Sequence, residues 1–334
     1  KKYIQLVLKK RKNIKKYLLI EKSNSLTPAS ERETILDLYK YLMQYDEKLA
    51  YNYIYQSLNA LISFYKYQEL GFGDGIKKVQ EAKKSDTVFI LGSGPSINEI
   101  TEEEWKLIGK HDSWGFNYWL VHNFVPSHYF FNIGKVTHFT VSLSERLFNK
   151  RINDYKNTNL FARGDDVNLF RLHKSQIPIE SNDILVLNEH FITGTNKISP
   201  KMLLNKMYEI GCFSYKDNKN IPKLRASIGF FISLALMNGY KNIVLCGIDM
   251  NDNDHFFYKE KYLLKYPELS DLIKYNNNAL GEKNPHANDL LYSVRDYIIE
   301  LNKMAKDKFD AEIFVSSKKS VLFPNIKKYK MIVK

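Results

Sequence analysis

The sequence predicts an α/β protein built on a doubly wound, mostly parallel, Rossmann-like sheet preceded by an N-terminal helical region. Three observations carry this expectation. From about residue 85 onward, short apolar runs alternate with stretches of helical spacing, the pattern of parallel strands joined by helical crossovers. One early run, Phe89-Ile90-Leu91, passes directly into Gly92-Ser93-Gly94-Pro95-Ser96, which reads as a strand, a two-glycine turn and a helix start. A second unit lies further on: Arg225-Ala226-Ser227-Ile228-Gly229 opens an apolar helix that stops at Gly239, and Asn242 to Gly247 forms an apolar strand followed by Ile248-Asp249. Open parallel sheets bind ligands beyond the carboxyl ends of their strands, so the first turn and the Asp249 tip are expected to face one crevice.

The elements follow in order. Residues 1–20 surround Ile4, Leu6, Val7, Leu8, Ile14, Leu18 and Leu19 with eight basic residues, and no acid precedes Glu21. Such a basic amphipathic helix either lies on anionic lipid or packs its apolar stripe on the domain. Residues 28–70 carry helical spacing through Ile35, Leu38, Tyr39 and Leu42, then Leu58, Leu61, Ile62 and Tyr65. The glycines of Gly71-Phe72-Gly73-Asp74-Gly75 break that pattern, which places a helical accessory region at 1–84 and the sheet domain at 85–334. Within the domain the expected elements are strand 87–91, helix 96–108, strands 113–117 and 127–132, and a helix near 142–154. Strands near 158–162 and 184–188, helices 197–210 and 227–238, strand 242–247, helix 288–307 and strand 312–316 complete it.

Composition bounds the function. A chain of 334 residues, 44% hydrophobic, can bury a substantial core. Cys212 and Cys246 lie far apart, Cys246 inside an apolar strand, so both read as reduced core thiols in a cytoplasmic setting. The longest apolar candidate, Phe230 to Met237, is too short to span a bilayer. The net charge of +13 favours a polyanionic partner: nucleic acid, an anionic membrane face or a charged glycolipid. The 23 tyrosines and 20 phenylalanines scatter at helix and strand spacing, as core residues do, and no RNA-binding signature accompanies them. A non-enzymatic nucleic-acid module is therefore the lesser reading.

The turn at Gly92 to Ser96 points to a phosphate. Two glycines let backbone approach a ligand closely, Pro95 is pre-organised for a first helical turn, and free N–H groups there attract an anion. The ligand is not the usual dinucleotide. Ile97 stands where a third glycine belongs, and the strand of 113–117 ends in Asn117 instead of an acid. An amide donates and accepts without repelling phosphate, which suits a mononucleotide.

These stretches resemble the bacterial CMP-sialic-acid-dependent sialyltransferases of glycosyltransferase family 42, together with related CMP-Kdo transferases and flagellin-glycosylating proteins, over roughly residues 87–317. In that family a Gly-x-Gly-Pro-Ser loop cradles the CMP phosphate, matching Gly92, Ser93, Gly94, Pro95 and Ser96. Two asparagines at the following strand ends correspond to Asn117 and Asn132. An Arg-x-Ser/Thr-x-Gly helix start matches Arg225, Ser227 and Gly229, and a Gly-Ile-Asp strand end matches Gly247, Ile248 and Asp249.

The resemblance implies a GT-A-like or related glycosyltransferase core. It also implies a CMP-sugar donor and a bacterial surface glycan or glycolipid as acceptor. Nucleotide and donor would be held by the loop, Asn117, Asn132, Arg225 and Ser227, with His286 as general base. Histidine suits that role because its pKa lies near working pH; His255, in the loop after Asp249, is the other histidine to weigh. The chain departs from the family after Gly-Ile-Asp, where two tyrosines are expected: Asn251 occupies the first position and Phe257 or Tyr258 falls near the second. Kdo therefore stands beside sialic acid as donor sugar. On the Kdo branch Asp249 becomes a nucleophile and His286 holds phosphate, with retention through a glycosyl-enzyme. Departing CMP carries one phosphate that N–H groups, Arg225 and a hydroxyl can meet, so no obligatory metal or other cofactor is expected. A metal-dependent transferase of nucleotide-diphosphate sugars, with Mn²⁺ or Mg²⁺ on Asp252 and Asp254, is the alternative. The expected location is cytoplasmic, peripheral on the inner face of the cell membrane through residues 1–20, with no nucleic acid as partner.

Overall fold

The structure is a computed structural model that describes residues 27–69, 73–131, 138–163, 184–192, 197–214, 220–224, 226–250, 254–280 and 293–332. Nine strands appear among them: β1 Gly73–Asp74, β2 Thr87–Leu91, β3 Asp112–Phe116, β4 His128–Phe131, β5 Asn159–Arg163, β6 Ile184–Ile192, β7 Asn220–Leu224, β8 Asn242–Cys246 and β9 Glu312–Val315. They form one sheet in the order β1-β6-β5-β4-β3-β2-β8-β9, with β7 also paired to β6, and every described pairing is parallel. The chain winds outward from β2 through β3, β4 and β5 to β6, then returns to lay β8 on the other side of β2. The winding direction therefore reverses at the β2–β8 seam, where Leu91 stands opposite Cys246.

Burial on both faces explains the apolar runs. All five residues of β2 and of β3 are buried, as expected of parallel strands covered by helices on either side. Alternate side chains feed two cores. Val88, Ile90, Trp114, Phe116, Ile243 and Leu245 enter one, while Phe89, Leu91, Tyr129, Phe131, Val244 and Cys246 enter the other.

The described helices are α1 Ala29–Met43, α2 Glu47–Glu69, α3 Gly75–Glu81, α4 Glu102–Ile108, α5 His138–Arg151, α6 Pro200–Glu209, α7 Ser227–Met237, α8 Glu260–Lys265, α9 Leu269–Leu280 and α10 Val294–Phe309. Helix α7 buries every residue from Ile228 to Leu236, as an all-round apolar helix must. Its Phe231 packs against Phe116 at 4.4 Å and Phe130 at 4.9 Å between ring centroids. Because α7 leads through Gly239 into the start of β8, its first turn lies at the carboxyl edge of the sheet.

Several expectations are revised. The single helix over 96–108 is a 3-10 turn, Pro95–Glu99, followed by a separate α4. A capping box starts α4 afresh, Thr101 accepting from the Glu104 N–H while the Glu104 carboxylate accepts from the Thr101 N–H. The sheet also begins before residue 85, since Gly73–Asp74 pairs with Leu185 and Val186 of β6 and Asp74 caps α3. Helices α1 and α2 are not set apart from the sheet: Ile35, Leu38, Tyr53, Leu58 and Leu61 share one core with Ile90, Phe161 and Leu187. Strand β7 and helices α8 and α9 are additions to the expected elements, and α10 starts at Val294 behind a Ser293 cap. The basic segment of residues 1–20 lies outside the described residues.

Candidate functional site

At the reversal point the two expected motifs meet. The Gly92 N–H donates to the Cys246 carbonyl at 2.8 Å, and the Gly94 N–H to the Gly247 carbonyl at 2.8 Å. The glycines make this approach possible. A Cβ on Gly94 would sit 2.8 Å from the Gly247 oxygen, and one on Gly92 2.7 Å from the same atom. Gly247 itself has φ +64°, and a Cβ there would meet Ile97 at 2.5 Å and the Gly92 oxygen at 3.0 Å. The close approach read from these glycines is thus made by one loop to the other.

Asp249 completes the junction. It is 3% exposed, and its carboxylate accepts from the Ser96 N–H at 2.9 Å and from the Ser96 hydroxyl at 2.6 Å. The anion held by the Ser96 N–H and hydroxyl is therefore the protein's own carboxylate. With Gly92, Gly94 and Ser96 engaged and Pro95 lacking an N–H, the turn retains one open donor residue. Among the described residues, the N–H and hydroxyl of half-buried Ser93 have no hydrogen-bond partner, while its carbonyl accepts from the Phe256 N–H at 2.8 Å.

Aromatic groups flank this junction. The 3-10 turn Phe256–Tyr258 is held by that bond and by the Asn98 amide, which donates to the Phe256 carbonyl at 3.1 Å. Phe257 packs edge-on to Tyr118 at 5.9 Å, and Tyr258 lies edge-on to His255 at 5.1 Å. Beside Tyr118, Asn117 directly follows β3 with φ 54°, a left-handed backbone that asparagine tolerates better than most residues. Its carbonyl accepts from the Tyr129 hydroxyl at 2.5 Å, and among the described residues its half-buried amide group has no partner. Arg151, only 7% exposed, fixes the segment behind Asn117 by donating to the carbonyls of Leu120 at 2.8 Å and His122 at 2.7 Å.

A third loop closes the junction from the β9 side. The Ser316 N–H donates to the Leu245 carbonyl at 2.9 Å, the Ser320 hydroxyl to the Ile248 carbonyl at 2.7 Å and the Val321 N–H to the Asp249 carbonyl at 3.0 Å. Lys319 forms an ion pair with Glu99, and this carboxylate, seconded by Asp249, holds the ammonium pKa above its ordinary value.

Gly92 to Ser96, Asn117, Ser227, Gly229, Gly247, Asp249 and Tyr258 all lie at the carboxyl edge. Gly229 sits in the first turn of α7, its N–H donating to the Ala226 carbonyl at 3.2 Å. Asn132, Arg225, His286 and Asp252 lie outside the described residues. Glu99, Arg151, Lys319 and Ser320 were not anticipated; the turn after β9 carries a signal, since it must emerge at the same edge. Among the described residues no group of three or more His, Cys, Asp or Glu is placed to hold a metal. No helix among them is long and apolar enough to cross a membrane. Neither cysteine is in a disulfide and both are buried; burial raises the Cys212 pKa and pushes that of Cys246 up to about 12.

No protein-family model matches the chain, and no curated protein does. Among solved structures it is similar to the monofunctional alpha-2,3-sialyltransferase Cst-I from Campylobacter jejuni, at 18% identity over 76% of this chain and 83% of that one, with a TM-score of 0.42. It is also similar to the sialyltransferase CstII from Campylobacter jejuni in complex with the substrate analogue CMP-3FNeuAc, at 14% identity over 74% and 87% of the two chains, TM-score 0.38. The sialyltransferase CST-II in complex with a trisaccharide acceptor and CMP gives 15% identity over 74% and 88%, TM-score 0.40. With so little shared sequence, the chemistry of this chain has to be read from its own residues.

Proposed function

We propose that the chain is a glycosyltransferase that moves an acidic ulosonic sugar, sialic acid or Kdo, from a CMP-activated donor to a bacterial surface glycan or glycolipid. The observation that carries this reading is the junction itself. At the point where the sheet reverses direction, Asp249 binds Ser96 through both carboxylate oxygens, and the donors of Ser93 and the Asn117 amide stand at the same edge. That edge is where open parallel sheets take their ligands.

The division of labour follows from hydrogen-bond chemistry. The Ser93 N–H and hydroxyl would meet the phosphate of the departing nucleotide, whose charge grows as the sugar leaves. Asn117, with Asn132, would read the nucleotide, while Arg225 and Ser227 would face the donor's charge. Asp249 is engaged with Ser96 and nearly excluded from solvent, which favours a role in shaping the cradle over attack on the sugar. His286 would accept the acceptor's hydroxyl proton. Residues 1–20 would hold the enzyme against anionic lipid at the inner face of the membrane.

A thermal-shift panel of CMP, CMP-sialic acid, CMP-Kdo, UDP-sugars and NAD tests the reading. CMP and one CMP-sugar are expected to raise Tm, by roughly 2.7 kcal/mol of added stability at a hundredfold excess over Kd. Transfer from that sugar should survive a chelator. His286→Ala should abolish transfer while keeping the CMP shift. A response confined to UDP-sugars or NAD, or a fully active His286→Ala, contradicts the assignment concerned.

A further inference from the structure

We propose that Lys319, on the turn after β9, is a cation that meets the nucleotide phosphate in addition to Arg225, exchanging its Glu99 partner for the ligand. The inference rests on the nucleotide reading above and adds a residue to that site.

Three observations bear on it. First, the turn crosses the tip of β8: Ser316, Ser320 and Val321 donate in succession to the carbonyls of Leu245, Ile248 and Asp249. Lys319 is thereby carried over that tip to Glu99, the last residue of the turn that begins at Pro95. The ammonium consequently ties the turn that covers the β8 tip to the end of the turn that follows Ser93. Second, the described donors at the cradle, Ser93 and Asn117, are neutral, whereas the Asp249 carboxylate lies against Gly94 and Ser96 of the same turn. A phosphate arriving there is repelled unless a cation accompanies it. Third, the Lys319–Glu99 pair is exposed, its side chains retaining 69% and 43% of their surface. Pairs in water are weak, so a phosphate that offers several acceptor oxygens can displace Glu99. The neighbouring Lys318 lies over the Phe323 ring instead, 5.8 Å from its centroid.

The test is calorimetric titration of the full chain with CMP and with cytidine, which lacks the phosphate. Lys319→Gln should weaken CMP binding about tenfold and leave cytidine binding unchanged, because it removes one charge-assisted contact. Lys319→Arg should restore CMP binding. Glu99→Gln, which frees the ammonium, should bind CMP at least as tightly as the parent. If the pair is only a clamp between loops, Lys319→Gln and Glu99→Gln weaken CMP and cytidine alike, and the proposal is overturned. It is equally overturned if Lys319→Gln binds CMP as the parent does. A parent chain that binds neither compound refutes the nucleotide reading itself, a result distinct from a failure of Lys319 alone.

Discussion

The bond between Ser96 and Asp249 is where a single atom matters most. The hydroxyl donates at 2.6 Å to a carboxylate that is 3% exposed, and hydrogen bonds to charged groups are among the stronger ones in proteins. Ser96→Ala leaves one carboxylate oxygen short of its partner, so the fold should lose about 1–3 kcal/mol and CMP affinity should fall with it. Chemical denaturation and titration of the variant check both, and an unchanged midpoint with unchanged affinity contradicts the role given to Asp249. The residues of this junction were legible in the sequence, but their employment was not. Glycine at 92, 94 and 247 announces that something approaches the backbone closely; the requirement is identical whether the visitor is a phosphate or a neighbouring carbonyl. Only the fold shows that Gly247 and Cys246 supply the nearest carbonyls. Asn117 is similar, because its φ of 54° supplies a backbone reason for asparagine beside the ligand-binding one.

Among the elements, those legible in sequence carry a pattern that tertiary packing does not contradict. Helix α7 is strongly apolar and matches its expected start, and β2 and β8 read as short apolar runs because both of their faces are covered, while β3 is buried with Asp112 and Ser113 in it. The unforeseen elements have physical reasons for escaping notice. Strand β7 contains Pro222 and Lys223, and proline is tolerated only where a strand need not donate on both sides; among the described residues β7 pairs with β6 alone. Strand β1 is two residues long and half glycine. Across α8 and α9 the buried set Tyr262, Tyr266, Leu269 and Leu272 follows helical spacing, but Pro267, in the link after Tyr266, divides it into two helices. The split after Glu99 was signalled by Thr101 and Glu104, the two ends of a capping box. That signal outweighs the apolar spacing that favours one continuous helix.

For the whole molecule, the winding order creates the site, and no local pattern in the sequence discloses it. The reversal between β2 and β8 joins segments about 150 residues apart in the chain, the Ser96–Asp249 bond spanning 153. The same non-local packing draws α1 and α2 onto the sheet, past the glycine break that locally resembles a boundary. Folding as one body also has a consequence in acid. His122, stacked 4.5 Å from Trp119, and His128, flat against Phe161 at 5.4 Å, are both pushed down to about 3, chiefly by burial. In each, the folded pKa lies below the unfolded value of 6.5, so the unfolded chain binds more protons. Their contribution to stability is full above pH 6.5 and is lost as pH falls towards 3. Unfolding free energy should therefore drop by up to about 1.4 kcal/mol per pH unit per histidine in that window. His128→Phe should remove one such increment from the slope, and an unaltered slope contradicts the assignment. The central claim, that a nucleotide phosphate lodges where the β2 turn meets the β8 tip, is tested most directly by a crystal structure of the chain with CMP. The account predicts phosphate oxygens about 2.7–3.2 Å from the Ser93 N–H and hydroxyl and from the Lys319 ammonium; CMP bound at any other edge of the sheet, or leaving Ser93 without a partner, contradicts it.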